Sequence, residues 1–77
     1  MRGYSQAVIE ANEGAPPGLG VALGTVLIVT RYAVGTAAKE LAVSRQTVYD
    51  WISGKTIPGK SHHDSIMALI AKLSTEE

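Results

Sequence analysis

Apolar positions along the chain recur at the three- and four-residue intervals of a helix. Residues 19–32 place Leu19, Leu23, Val26 and Leu27 on one face, while Val21, Ile28 and Val29 lie elsewhere around the cylinder. A helix apolar on more than one side is either central to a fold or half of a dimer contact. Gly20 and Gly24, four apart, either permit close approach of another helix or are small residues tolerated in a packed one. Gly35 is expected to end this helix, and Thr36 to cap a short one over 37–42. Ser44 caps the next, 45–53, and Gly54 is its natural stop. In the loop 54–60, Ile57 is expected to tuck inward. Ser61 opens a last helix, with Asp64 three residues on as a capping-box-like partner. On that helix Ile66, Leu69, Ile70 and Leu73 form one apolar stripe, while Asp64, Ala68 and Lys72 face away.

Ahead of these elements, Ser5 can cap a short helix carrying Ala7, Val8, Ile9 and Ala11, which Asn12, Gly14 and the run Pro16-Pro17-Gly18 would end quickly. Residues 1–18 are therefore either a short docked helix or a mobile arm. Residues 19–73 form the domain proper, and 74–77 a frayed tail. The expected architecture is all-α, with four to five helices.

At 77 residues the chain is one domain near the lower size limit for a core that needs no metal or crosslink. It contains no cysteine, which excludes disulfides and thiolate metal sites. The longest apolar stretch, 19–29, is interrupted by Gly20, Gly24 and Thr25 and falls short of the ~20 residues of a membrane span. A soluble, cytoplasmic protein is expected. Net charge is zero but unevenly spread. Residues 31–60 hold Arg31, Lys39, Arg45, Lys55 and Lys60 against Glu40 and Asp50, a net of +3. The first thirty residues (Arg2, Glu10, Glu13) sum to −1, and those from 61 onward (Asp64, Lys72, Glu76, Glu77) to −2.

The positive segment coincides with a joint between two short helices. A steep helix crossing through a three-residue turn needs a small residue at the contact and apolar residues aimed into the angle. Ala38 is the small residue; Ala37, Leu41, Val43, Val48 and Trp51 are the apolar set. On the second helix, Val48, Trp51 and Ile52 share one side, and Arg45, Gln46, Tyr49 and Asp50 the other. A merely solvated surface favours Glu and Lys, whereas this arc is rich in groups that hydrogen-bond to base edges.

The stretch 37–58, and within it Ser44-Arg45-Gln46-Thr47-Val48-Tyr49-Asp50-Trp51-Ile52-Ser53-Gly54-Lys55-Thr56-Ile57-Pro58, resembles the helix-turn-helix of the Cro and phage-repressor proteins, the lambda-repressor-like or xenobiotic-response-element family. The resemblance extends over about 19–73. Two departures stand out: Ala42 occupies the turn position usually held by Gly, and the first motif helix lacks the frequent Ser/Thr-Gln start. The resemblance implies a homodimeric transcriptional regulator of phage or mobile-element type, acting in a bacterial host cell on near-palindromic operator DNA. It places Arg45 and Gln46 at base edges, with Tyr49 and Asp50 flanking them. Arg45 can pair with guanine, Gln46 with adenine, and Asp50 can accept from cytosine or instead hold Arg45 or Gln46. Thr36, Ser44, Thr47, Lys55, Lys60 and Lys39 are the expected phosphate contacts, for Lys39 and Lys60 against an equal alternative of solvated lysines. The alternatives are a protein-binding antitoxin or adaptor, using Val21, Ile28, Val29 or the N-terminal arm, and a DNA-binding subunit of a recombinase or packaging complex.

No enzyme activity, metal, cofactor or small-molecule ligand is expected. His62 and His63, adjacent on a helix, point about 100° apart with no further His or Cys to complete a site. Ser61, His62, His63 and Asp64 hold the letters of a hydrolase triad, but triad groups converge in space from a scaffold rather than from one run of sequence.

Overall fold

The computed structural model describes residues 4–75, which form five α-helices and one short 3₁₀ turn. They are α1 (Gln6–Gly14), α2 (Leu19–Thr30), α3 (Val34–Leu41), α4 (Arg45–Ser53) and α5 (His63–Ser74), with the 3₁₀ turn over Lys60–His62. The all-α architecture expected from the periodicity is the one observed. Among the described residues, no helix is long and apolar enough to cross a membrane.

Helix α2 is the central element, packing on α1, α4 and α5, and α3 packs on α4. Its multi-sided apolar pattern follows from that position: Leu23 and Leu27 are fully buried, while Leu19, Val26 and Ile28 are partly buried against the core. Ile66, Leu69 and Leu73 of α5 close the core from one side, and Val48, Trp51 and Ile52 of α4 from another. The two small residues Gly20 and Gly24 bring α4 close to α2. A Cβ on Gly24 would lie 2.9 Å from Ile52 Cα, and one on Gly20 would lie 2.9 Å from Trp51 Cβ. Of the two readings left open for this pair, close approach of another helix is the observed one, and that helix is α4.

Of the docked helix and the mobile arm compatible with residues 1–18, the described part shows a docked helix over Gln6–Gly14. Ser5 caps it as expected, accepting a hydrogen bond from the Val8 amide at 3.2 Å. Asn12, expected to help end the helix, is instead buried within it. Its amide nitrogen donates to the Val21 carbonyl at 3.1 Å and the Ile52 carbonyl at 2.9 Å, and its carbonyl accepts from the Thr25 hydroxyl at 3.1 Å. One side chain thus ties α1, α2 and α4 together.

Several boundaries differ from expectation. Helix α2 stops at Thr30 rather than Tyr32 because Arg31 turns left-handed (φ 59°), and the Arg31 and Tyr32 amides then bond back to Ile28 and Leu27. Helix α3 begins at Val34, with Ala33 in the cap position and no side-chain cap. Burial of Val34 draws the chain into helix early, so Gly35 lies inside α3 and Thr36 is its third residue rather than its cap. Ile57 points outward, 87% exposed, and the neighbouring Pro58 is buried instead. Ser61 lies in the 3₁₀ turn and caps nothing; α5 starts at His63 without a side-chain cap, and Asp64 sits in its first turn. Of the tail expected over 74–77, Ser74 is the last residue of α5 and the Thr75 amide bonds to Ala71. The rest of that expected tail, Glu76 and Glu77, lies outside the described residues, as does Arg2.

Candidate nucleic-acid interface

Helices α3 and α4 form the expected joint. Ala37, Ala38 and Leu41 of α3 and Val48 and Trp51 of α4 are buried in it, and Val43 is partly buried. Between them the chain turns through Ala42, which holds φ 59° and ψ 41°. In this left-handed conformation a Cβ crowds the following carbonyl, at a cost of roughly 1–2 kcal/mol relative to glycine. The turn is therefore a glycine-type turn carried by alanine.

Ser44 caps α4, its hydroxyl accepting from the Thr47 amide at 3.1 Å and sharing a 2.9 Å hydrogen bond with the Thr47 hydroxyl. Gly54 ends the helix in the left-handed conformation (φ 79°), its amide bonding to the Trp51 carbonyl. The helix is thereby closed at both ends and backed by the fully buried Val48 and Ile52. Behind it, the Trp51 indole meets the His62 ring at 5.3 Å between centroids, and His63 Nε2 lies 3.4 Å from the Pro58 carbonyl oxygen. The histidine pair thus faces two different neighbours.

On the outer side of α4, Arg45 and Gln46 are exposed, Tyr49 is at the edge of exposure (37%) and Asp50 is half-buried. Gln46 donates to Asp50 Oδ1 at 2.9 Å. Arg45 folds toward α3, where its guanidinium lies 3.0 Å from the position a Cβ on Gly35 would take. Gly35 therefore serves as clearance for this arginine rather than as a helix stop. Ser44, Lys55, Lys60, Lys39 and Thr36 are exposed and Thr47 half-buried. Thr36, expected as the cap of α3, lies instead in its first turn, which has no side-chain cap.

Helix α1 adds a feature that was not expected. It lies along α4, leaving a groove of about 440 Å³ between Ala7, Val8 and Ala11 on one wall and Gln46, Tyr49, Asp50 and Ser53 on the other. The two helices run in step. Tyr4, just before α1, is close enough to Tyr49 for that phenol to raise the Tyr4 pKa, Asn12 bonds to Ile52, and Ala15 touches the site of Gly54. Hence α1 flanks α4 from Gln46 onward, and Arg45 lies outside this groove. On the far side, Tyr4, Arg31, Tyr32, Arg45 and Tyr49 line a second hollow of about 340 Å³. The hydroxyl of Tyr4 donates to the Tyr32 carbonyl. Burial pushes its pKa up to about 12, with the nearby Tyr49 phenol adding to the rise.

Away from this face, Tyr32 donates to Glu40 at 2.7 Å and Lys72 pairs with the same carboxylate at 3.4 Å. The Tyr32 hydrogen bond, then Lys72, hold the Glu40 carboxyl below its usual range, and Glu40 raises Lys72 in turn. These groups are solvent-exposed and link α3 to α5 rather than forming a site.

No known protein family, curated protein or solved structure matches the chain.

Proposed function

We propose that this protein binds double-stranded DNA sequence-specifically, as a Cro- or repressor-like transcriptional regulator of phage or mobile-element type that acts by occupying an operator. Its setting on this reading is the cytoplasm of a bacterial host, at the nucleoid, as a homodimer. The observation that carries the reading is the arc of Arg45, Gln46 and Tyr49. It is held outward on a helix capped at both ends and backed by Val48, Trp51 and Ile52, beside a packed α3. A rigid helix presenting hydrogen-bonding groups beside a positive stretch of chain is what major-groove readout requires.

On this reading Arg45 swings from Gly35 to a guanine edge and the Gln46–Asp50 pair reads the next base, with Tyr49 at the flank. Ser44, Thr47, Lys55 and Lys60 meet the phosphates on either side, joined by Lys39 and Thr36 from α3. Selection of bound sites from random duplex DNA, followed by titration of the enriched site, tests this. An enriched motif and a loss of about 1–3 kcal/mol on Arg45→Ala, with circular dichroism unchanged, are expected. Unchanged affinity in Arg45→Ala overturns the assignment.

One observation favours a second reading, a protein-binding adaptor or antitoxin module: Ile57 stands 87% exposed at the tip of the α4–α5 loop. Binding that persists from ~50 to 200 mM salt and is lost on Ile57→Asp supports the adaptor, since phosphate contacts weaken steeply over that range.

A further inference from the structure

Three tyrosines occur in the chain, one before α1, one after α2 and one on α4, and all three line a single hollow. Its volume is about 340 Å³, and Arg31 and Arg45 line it with them. Two guanidinium groups thus share a surface that has no carboxylate among its described lining residues. The acids of α3 and α4 are engaged elsewhere, Glu40 by Tyr32 and Lys72 and Asp50 by Gln46. Among the described residues neither arginine has an ion-pair partner. Tyr4 adds no compensating charge, because burial keeps its phenol neutral up to about pH 12. Gly35 forms part of the same wall. Glycine weakens a helix, and here its missing side chain leaves the room that the Arg45 guanidinium takes, 3.0 Å from where a Cβ would stand. Paired guanidinium forks are the donor set that grips the oxygens of a phosphate, and tyrosine rings are surfaces on which a planar ring stacks. The volume lies at the small end of ligand clefts, which begin at roughly 300 Å³, and suits one phosphate with one ring.

We propose that this hollow binds a small molecule of the mononucleotide class, its phosphate gripped by Arg31 and Arg45 and its ring lying against Tyr4 and Tyr49. A phosphate of the duplex backbone offers the same oxygens without the ring, since the bases of a duplex stay stacked and paired. Occupation also bears on the reading arc, and this part rests on the DNA-binding reading. Arg45 has two destinations, the hollow and a base edge, and one guanidinium cannot serve both. A bound phosphate holds Arg45 over Gly35 and so weakens the hold on the operator. By reciprocity, operator DNA weakens the nucleotide by the same factor.

AMP and CMP, with adenosine and inorganic phosphate as controls, are titrated into the full protein and followed by calorimetry and by the arginine Nε–H resonances. A nucleotide is expected to shift the signals of both Arg31 and Arg45, and adenosine to bind about 10-fold more weakly than AMP for want of the charged contacts. Inorganic phosphate is expected to shift the same two signals at higher concentration. Arg31→Gln removes one fork at an exposed position outside the reading arc, and with circular dichroism unchanged it is expected to weaken the nucleotide about 10-fold. Gly35→Ala keeps every charge and favours helix, yet crowds Arg45; a several-fold loss is expected. No shift of the two arginines with either nucleotide, adenosine binding as tightly as AMP, or binding unmoved by both substitutions overturns the site. On the selected duplex, the nucleotide is expected to lower affinity several-fold in the unaltered protein and not in Arg31→Gln. Equal nucleotide affinity with and without operator overturns the competition. Loss of all duplexes alike in Arg31→Gln, with no nucleotide bound by the unaltered protein, gives the hollow to the duplex backbone and overturns the proposal. If the nucleotide binds and no duplex does, the site stands and the DNA-binding reading falls.

Discussion

At the scale of single residues, Asn12 has the largest structural consequence. A buried polar side chain is tolerated when its hydrogen bonds are made, and Asn12 makes three, to partners in two other helices. Asn12→Ala leaves the Ile52 carbonyl short of a donor, while the Val21 carbonyl still accepts from the Thr25 hydroxyl, and opens a small void beside Gly24. A loss of about 2–3 kcal/mol in chemical denaturation is expected. Retained stability would mean that water replaces the amide. Nothing in the sequence marks this role. Asn two residues ahead of a Gly-Ala-Pro-Pro run is a common way to end a helix, and its true partners lie up to 40 positions away. Arg31 was equally illegible, since left-handed geometry at a non-glycine residue is set by the surrounding packing. Ser44 and Gly54, by contrast, act through their own neighbours, and their caps could be read directly.

At the scale of elements, the contrast between α4 and α1 follows from where their information resides. The core stripe of α4 and both its caps are local, so its boundaries and its outward arc were legible. The packing of α1 depends on a partner helix. Its weak apolar pattern is completed by Tyr4, which bonds to the Tyr32 carbonyl beyond α2. That contact makes the attachment of α1 sensitive to alkali. Tyr4 is neutral in the folded protein up to about pH 12, whereas an unfolded tyrosine ionises near 10. The unfolded chain therefore holds fewer protons between these values, so the stabilisation is complete below about pH 10 and is lost as pH rises toward 12. In alkaline titrations followed by tryptophan fluorescence, Tyr4→Phe is expected to flatten the decline over this window. An unaltered decline would assign it to other tyrosines, of which Tyr32 is also raised, chiefly by its hydrogen bond to Glu40.

At the scale of the molecule, zero net charge and a positive middle segment divide the work between attraction and selection. On the proposed function, few cations meet phosphate, so affinity should depend on salt less steeply than for strongly basic DNA-binding proteins. Each phosphate contact contributes about 0.9 to the slope of log K against log salt. Lys55→Ala is expected to weaken all duplexes alike and to reduce that slope by about that amount. A change in sequence preference instead would move Lys55 into the groove. The segment charges needed for this argument were present in the sequence; the standing of α1 next to α4 was not, because it exists only once the helices pack. That placement limits how the molecule can approach a duplex. A groove about 12 Å wide admits one helix of 10–12 Å, not two abreast. Flanked by α1, α4 would enter at a tilt, touching bases through Arg45 and the Gln46–Asp50 pair, with Tyr49 at the flank. Each copy would then recognise a very short word, leaving the pairing of two such words to make an address.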